Sequence, residues 1–193
     1  MKKALSSSIL SALVLAGCTA SDGEISLEQN LQNPLYAERY AEVLVDRIVE
    51  LKIQNDPILE DDTKAALIEE VRKEWLEVGR DARKKQREGF SGFLISINET
   101  TRGELLYVDN TLYTDTLFEV SPGPDLHLYI STIVDPRDVE FPDDTAIDLG
   151  QLRSAYGAQK YSVPVVDDPQ LYRTVVVWDN KLERLFGFAQ IGK

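Results

Sequence analysis

The spacing of the apolar residues changes near Gly89, and this change limits what the chain can fold into. Between residues 34 and 88 the apolar residues recur at intervals of three and four, which predicts amphipathic helices. Between residues 89 and 193, β-branched and aromatic residues are frequent and turn signals recur at short intervals, which is typical of antiparallel strands. The sequence therefore predicts a mainly β protein of α+β class, with a β-sandwich or β-barrel preceded by helices.

The helical segment, residues 34–88, is predicted to be a hairpin of two helices. The first helix starts at Pro34, which suits a first helical turn, and ends before Pro57 because a residue preceding proline disfavours helical geometry. The second helix is capped by Asp61 or Asp62 and runs to about Glu88. A short loop between them implies that the helices are antiparallel, and we expect the hairpin to act as a spacer.

The β-rich segment, residues 89–193, contains three informative patterns. Asp109-Asn110 separates two strand-like runs and predicts a hairpin turn. Residues 126–131 alternate between apolar and polar side chains, which predicts a half-buried strand with His127 on its solvated face. Residues 174–178 form a continuous apolar run, which predicts a central strand.

The first seventeen residues have the layout of a secretory signal peptide. Lys2 and Lys3 precede an apolar run that is too short to span a membrane, and small residues follow it. The ending Leu15-Ala16-Gly17-Cys18 resembles the bacterial lipobox. This resemblance implies that the thiol of Cys18 receives a diacylglycerol and that the chain is cut before this residue. It also implies a bacterial protein that is lipid-anchored on the extracytoplasmic face of the cell membrane.

Residues 18–33 are polar and lack periodicity, so we expect a lipidated, flexible tether between the membrane and the folded part. Thr19, rather than aspartate, follows the cysteine. In the lipoproteins of two-membrane bacteria, this residue favours the outer membrane. In an organism with one membrane, the anchor would face outward.

Composition excludes several kinds of chemistry. Cleavage before Cys18 removes two lysines and leaves 19 basic and 33 acidic residues, a net charge of −14. A lipidated Cys18 leaves no free thiol for a disulfide, a thiolate metal site or a nucleophile, and His127 is the single histidine. We therefore expect no enzymatic activity. The acidic surface disfavours nucleic acid, so the expected partners are the membrane, through the anchor, and an envelope protein or glycan.

Four blocks of the second half resemble one domain family, the DM13 domain, an extracytoplasmic β-rich module. The blocks lie within residues 123–131, 148–164, 172–178 and 186–189. The resemblance implies electron transfer at the cell surface, through a cysteine directly after the Val-x-x-Trp segment that acts as a thiol or as a ligand to a group such as haem. In this chain the position is occupied by Asp179. Aspartate cannot cycle between thiol and disulfide and is a poor haem ligand, so we expect a DM13 module without its redox residue.

Two further features are candidate ligand sites. His127 is a candidate haem or metal ligand or a general base, although no second histidine is present to complete such a site. An acidic stretch offers oxygen ligands for calcium, without the spacing of an EF-hand. The calcium candidates are Asp135, Asp138, Asp143, Asp144 and Asp148. The alternative for this stretch is a solvated loop made rigid by two prolines.

Three functions remain open on this basis. The leading hypothesis is a non-catalytic binding or interaction module that recognises another envelope component and needs no cofactor. The second is an electron-transfer module, which would require a cofactor such as haem held without cysteine. The third is a calcium-dependent adhesion module that uses the acidic loop.

Overall fold

The structure, a computed structural model, describes residues 26–193. The signal peptide, Cys18 and the first part of the tether lie outside the described residues. The helices are α1 (Leu27–Asn30), α2 (Pro34–Ile53) and α3 (Asp62–Glu88), with a 3-10 turn at Pro57–Glu60. The first strands are β1 (Phe90–Phe93), β2 (Ile95–Ser96), β3 (Thr101–Arg102), β4 (Glu104–Val108), β5 (Thr111–Thr114) and β6 (Glu119–Val120). The remaining strands are β7 (Leu126–Ser131), β8 (Ile147–Gln151), β9 (Lys160–Ser162), β10 (Thr174–Asp179) and β11 (Arg184–Gln190).

The helical segment forms the predicted antiparallel hairpin. Asn33 caps α2 by accepting the Leu35 N–H at 3.0 Å, and Asp61 caps α3 by accepting the Thr63 N–H at 2.9 Å. Gly79 is buried at the helix interface, where an added Cβ would lie 3.3 Å from the Cβ of Ala41. The glycine therefore lets the two helices approach closely. Among residues 26–193 there is no helix that is both long and apolar enough to cross a membrane.

The β-rich segment is a sandwich. One large sheet has the strand order β1-β4-β5-β9 and the other has the order β2-β11-β10-β7-β8, while β3 and β6 form a separate two-stranded sheet; all pairs are antiparallel. Neither sheet closes on itself within the described residues, so the fold is the predicted sandwich and not the predicted barrel. Side chains of both sheets share a core that includes Leu105, Leu112, Leu128, Ile130, Val175 and Phe186. As predicted, the turn at Asp109-Asn110 joins β4 to β5, and β10 is a central strand.

The hairpin packs directly on the outer face of the four-stranded sheet. Leu35, in the first turn of α2, is buried against Leu106 and Val108 of β4. Gln86 of α3 donates a hydrogen bond to the Pro34 carbonyl at 3.0 Å. The Leu35 contact fixes the base of the hairpin on the sandwich, and the Gln86 hydrogen bond joins the two helices at that end.

The prediction of a flexible tether as far as residue 33 is wrong for its second half. Ser26 and Gln29 form a reciprocal capping box around α1. Asn33 is buried and donates from Nδ2 to the Thr114 carbonyl at 2.8 Å, and Lys160 donates to the Gln32 side chain at 2.9 Å. Polar residues without periodicity can still become ordered when their amides bond to the backbone of another element.

Candidate functional site

Strand β10 supplies side chains to both faces of the five-stranded sheet. Val175 and Val177 point into the core shared by the two sheets. Val176 and Trp178 lie in a second cluster on the opposite face, together with Tyr129, Phe141, Leu185 and Phe188. The continuous apolar run of this strand therefore fills two separate clusters.

The prediction that the His127 side of β7 is solvated is wrong. Tyr129 and Ser131 lie on this face and are buried, and the His127 side chain is only 18% exposed. The segment 132–146 covers the face and places Phe141 edge-on to Tyr129, with ring centroids 5.4 Å apart. Alternation along β7 shows which residues share a face, but it does not show that a loop covers that face.

Asp179 is fully buried at the end of β10, and among residues 26–193 its carboxylate is bonded only to backbone N–H groups. Its Oδ2 accepts the N–H of Asp125 at 3.0 Å. Its Oδ1 accepts the N–H groups of Lys181 at 3.0 Å and Leu182 at 2.9 Å. A Cβ at Gly123 would lie 2.5 Å from Oδ2, so glycine leaves the room that the carboxylate occupies. Asp179 therefore joins the loop before β7 to the turn between β10 and β11.

His127 of β7 lies between two carboxylates, those of Asp125 in the loop before β7 and of Asp148 on the edge strand β8. Its Nδ1 is 2.8 Å from Oδ2 of Asp148, and its Nε2 is 3.6 Å from Oδ1 of Asp125. The Gly150 N–H also donates to Asp148 at 2.7 Å, which holds this carboxylate in place. Nδ1 is thus engaged inside the protein, and the arrangement orients the ring.

The five candidate calcium ligands are separated into different local contacts. Asp135 is held by Arg137, whose side chain and backbone N–H lower the pKa of Asp135 to about 2. Burial opposes the ionisation of Asp143, but hydrogen bonds from Thr145 and Ser131 keep its pKa below the ordinary value. Asp148 contacts His127, and Asp138 and Asp144 are exposed. Within residues 26–193, no three carboxylate, histidine or cysteine side chains are grouped so that they could hold a metal ion.

Trp178 and Asn180, which flank Asp179 in sequence, line a concave pocket. A pocket of about 920 Å³ lies between the loop residues 139–144 and the turn after β10. Trp178 and Phe141 contribute its aromatic wall, with ring centroids 5.2 Å apart and planes tilted by 59°. Tyr129 donates to Asn180, a further wall residue, at 2.8 Å. Burial of this hydroxyl raises the pKa of Tyr129.

Comparison with known proteins assigns the β-rich segment to a domain family. Residues 93–191, just over half of the 193-residue chain, match the family model described as electron transfer DM13. The chain belongs to the DM13 family. No curated protein and no solved structure matches it. The matched residues begin at Phe93, the last residue of β1, and end directly after β11, so the match covers the sandwich apart from most of β1 and excludes the helical hairpin.

The residues at position 179 and around His127 do not fit a redox group. Asp179 is buried, and both of its oxygens accept backbone hydrogen bonds, so the side chain is not free to act as a ligand. His127 has Nδ1 bonded to Asp148 and Nε2 facing Asp125, and no second histidine exists in the chain to complete an axial pair. The DM13 domain of this chain thus replaces the expected thiol with a carboxylate that organises two loops.

Sequence reasoning missed the pocket. Its wall combines Phe141 from the loop with Trp178 and Asn180 at the end of β10, and Glu140 and Glu183 also line it. A partial signal was present, because residues 175–178 are apolar at every position and so require cover on both faces of the sheet. The position of the covering loop depends on tertiary contacts such as the hydrogen bond from Gln190 to the Val134 carbonyl.

Proposed function

We propose that this protein is a lipid-anchored component of the bacterial cell envelope whose DM13 domain is a non-catalytic binding module. The anchor is supported by the signal-like sequence that ends in Leu15-Ala16-Gly17-Cys18. The binding role is supported by a concave pocket in the DM13 domain. The pocket lining combines two aromatic side chains with four carboxylates and the amide of Asn180.

The hydrogen bonding of Asp179 is the observation that distinguishes this proposal from electron transfer. A thiol at this position could cycle between oxidation states, whereas the carboxylate cannot. Asp179 is fully buried and accepts three backbone N–H groups. These bonds give the residue a structural role that explains its presence without any redox step.

Electron transfer is the second candidate function, because the family description names it. In this chain it would require a cofactor held without cysteine. His127 is the side chain to examine, since it is the single histidine and is partly accessible.

The visible absorption spectrum of the exported protein, purified in detergent after growth with added haem, separates these two functions. We expect no Soret band from the wild type. A band at near-stoichiometric haem would contradict the binding proposal, and its loss in His127→Ala would identify the ligand. Asp148→Asn serves as the matched control, because it perturbs the same contact while keeping the imidazole.

Site-specific photo-crosslinking in intact cells tests the binding role directly. A photoreactive residue at Val139, which lines the pocket and is 44% exposed, is expected to form discrete adducts with an envelope protein or glycan. The control position is Ile53, which is 74% exposed at the far end of the helical hairpin. Identical adduct patterns from the two positions would argue against a specific partner at the pocket.

Membrane fractionation tests the anchor. Wild type is expected in the membrane fraction, and Cys18→Ser is expected to remain unlipidated and unprocessed at this position. If Cys18→Ser were processed normally and still fractionated as a lipoprotein, the anchor proposal would be wrong.

A further inference from the structure

Two carboxylates share the imidazole of His127. Its Nδ1 lies 2.8 Å from Oδ2 and 3.0 Å from Oδ1 of Asp148, and its Nε2 lies 3.6 Å from Oδ1 of Asp125. Within residues 26–193, neither carboxylate forms an ion pair with a lysine or an arginine. The His127 side chain is only 18% exposed, so water screens these charges only in part. The charge on the ring therefore decides whether the two carboxylates are compensated.

The two protonation states of the ring place different groups opposite Asp125. A neutral imidazole carries one N–H, and the contact with Asp148 requires it on Nδ1, because that nitrogen is at hydrogen-bond distance from the carboxylate. Nε2 then presents a lone pair to the carboxylate of Asp125, and the two repel each other. The imidazolium carries an N–H on both nitrogens, so it donates to Asp148 and attracts Asp125 at the same time. Only the charged ring connects both carboxylates.

Asp125 connects the ring to the buried carboxylate of Asp179. The Asp125 N–H donates to Oδ2 of Asp179, and the Asp125 carbonyl accepts the N–H of Asn180, each at 3.0 Å. On the other side of the ring, Asp148 belongs to the edge strand β8. A charged His127 therefore connects β8 to the loop before β7 and, through that loop, to the turn after β10.

Apart from the two carboxylates, the neighbours of the ring do not change charge near neutral pH. The residues paired with His127 in the sheet are Trp178 on β10 and Gln151 on β8, and neither ionises. The Tyr129 ring is centred 6.3 Å away, and burial raises the pKa of Tyr129, so it stays a neutral phenol. Histidine is the side chain whose charge ordinarily changes between about pH 5 and 8. A response to pH at this place therefore comes from the imidazole.

We infer that His127 is a pH-sensitive clamp, which holds the loop before β7 against β8 while its ring is charged and releases that loop when the ring is neutral. The clamp closes in acid and opens as the pH rises, because the second contact exists only while both ring nitrogens carry a proton. The inference goes beyond the proposed binding and anchoring roles and does not depend on them, since it concerns bonds inside the DM13 domain.

Hydrogen exchange measures the clamp in the full-length lipoprotein in detergent. The segments to follow are residues 121–128 and 179–185, and exchange rates are converted to protection factors so that the intrinsic effect of pH is removed. Between about pH 5.5 and about pH 8, we expect protection of both segments in the wild type to fall by about three- to fivefold, the range of a favourable, partly exposed ion pair. Unchanged protection would overturn the inference.

Three variants assign the response to the ring and its partner. His127→Gln removes the only imidazole, so its protection should not follow pH beyond the background from Glu104 and Asp115, whose pKa values burial raises. In Asp125→Asn the backbone bonds remain and the new amide can donate to the bare Nε2, so protection should persist at about pH 8. Asp167→Asn changes an exposed carboxylate that has no partner among the described residues, and should respond like the wild type. A wild-type response in His127→Gln would refute the clamp.

The nitrogen-15 spectrum of the single imidazole tests the clamp in the wild type, without relying on a variant that folds. We expect protons on both ring nitrogens at about pH 5.5 and on Nδ1 alone at about pH 8, because Asp148 accepts from Nδ1. A neutral ring protonated on Nε2 would show that Asp148 does not hold Nδ1. The lone pair would then face Asp148 instead of Asp125, and the inference would fail.

Discussion

Replacing Asp179 with alanine tests whether this carboxylate fixes the end of the five-stranded sheet. The substitution removes the acceptor of three backbone N–H groups, those of Asp125, Lys181 and Leu182. A hydrogen bond to a charged group contributes about 1.5–3 kcal/mol to stability. The full sum is not expected, because Lys181 and Leu182 lie on an exposed turn where water can replace the lost acceptor. We therefore expect Asp179→Ala to lower the free energy of unfolding by about 3–5 kcal/mol.

Asp179→Asn refines the test because it preserves the shape of the side chain. One amide oxygen can still accept from Lys181 and Leu182, but the amide nitrogen then faces the N–H of Asp125. We expect a loss of about 2 kcal/mol, smaller than the loss caused by alanine. Asp167→Ala is the matched control, since this carboxylate is exposed and accepts no hydrogen bond from the described residues. Its effect should stay within about 0.5 kcal/mol.

Urea unfolding followed by far-ultraviolet circular dichroism gives these free energies, and a thermal melt gives an independent measure. A loss of 3–5 kcal/mol corresponds to a decrease in melting temperature of about 6–20 °C in a domain of this size. A loss below about 1 kcal/mol for Asp179→Ala, or one equal to that of Asp167→Ala, would refute the structural role. A structural role would then no longer explain why aspartate stands where the family resemblance implies a thiol.

Three further predictions concern other parts of the molecule. Burial, together with Asp115 and Glu38, raises the pKa of Glu104 above its ordinary 4.5. The folded state therefore favours the protonated carboxyl, and the free energy of unfolding falls as pH rises from 4.5 through the raised pKa. Glu104→Gln should remove this pH dependence and increase stability at pH 7 in urea titrations. The expected gain is only about 0.5 kcal/mol, because solvent partly screens the group. An unchanged pH dependence would contradict this prediction. Leu35→Ala should lower stability by about 2–4 kcal/mol and increase hydrogen exchange in α2, whereas Leu67→Ala, at a 57% exposed position, should have little effect. Arg137→Gln should return the pKa of Asp135 from about 2 toward 3.8, as measured by carboxyl carbon NMR, and a pKa that stayed near 2 would show that the guanidinium is not its cause.

The order of local structure could be predicted from the sequence. Pro34, Pro57 and Asp61 fixed the helix boundaries because capping and proline geometry act within a few residues. The Asp109-Asn110 turn was predictable for the same reason, since both residues adopt the positive φ values that this turn requires. Family membership was also visible, because it depends on the order of short blocks along the chain.

The surroundings of the candidate site could not be predicted in this way. His127 was expected on a solvated face, and only the path of residues 132–146 across the sheet shows that this face is covered. The same loop brings Phe141 to Trp178 and creates the pocket. Each of these contacts joins residues far apart in the chain, and the periodicity of one strand carries no information about them.

Asp179 shows most clearly what the sequence determined and what the tertiary structure determined. Its identity in the sequence was enough to remove the thiol chemistry expected at this position, because a carboxylate cannot cycle between redox states. Only the tertiary structure assigned what the residue does instead, by burying it beside Gly123 with three backbone N–H groups directed at its oxygens. The physical reason is that chemical capacity belongs to a side chain itself, whereas its bonding partners depend on which distant segments the fold places next to it.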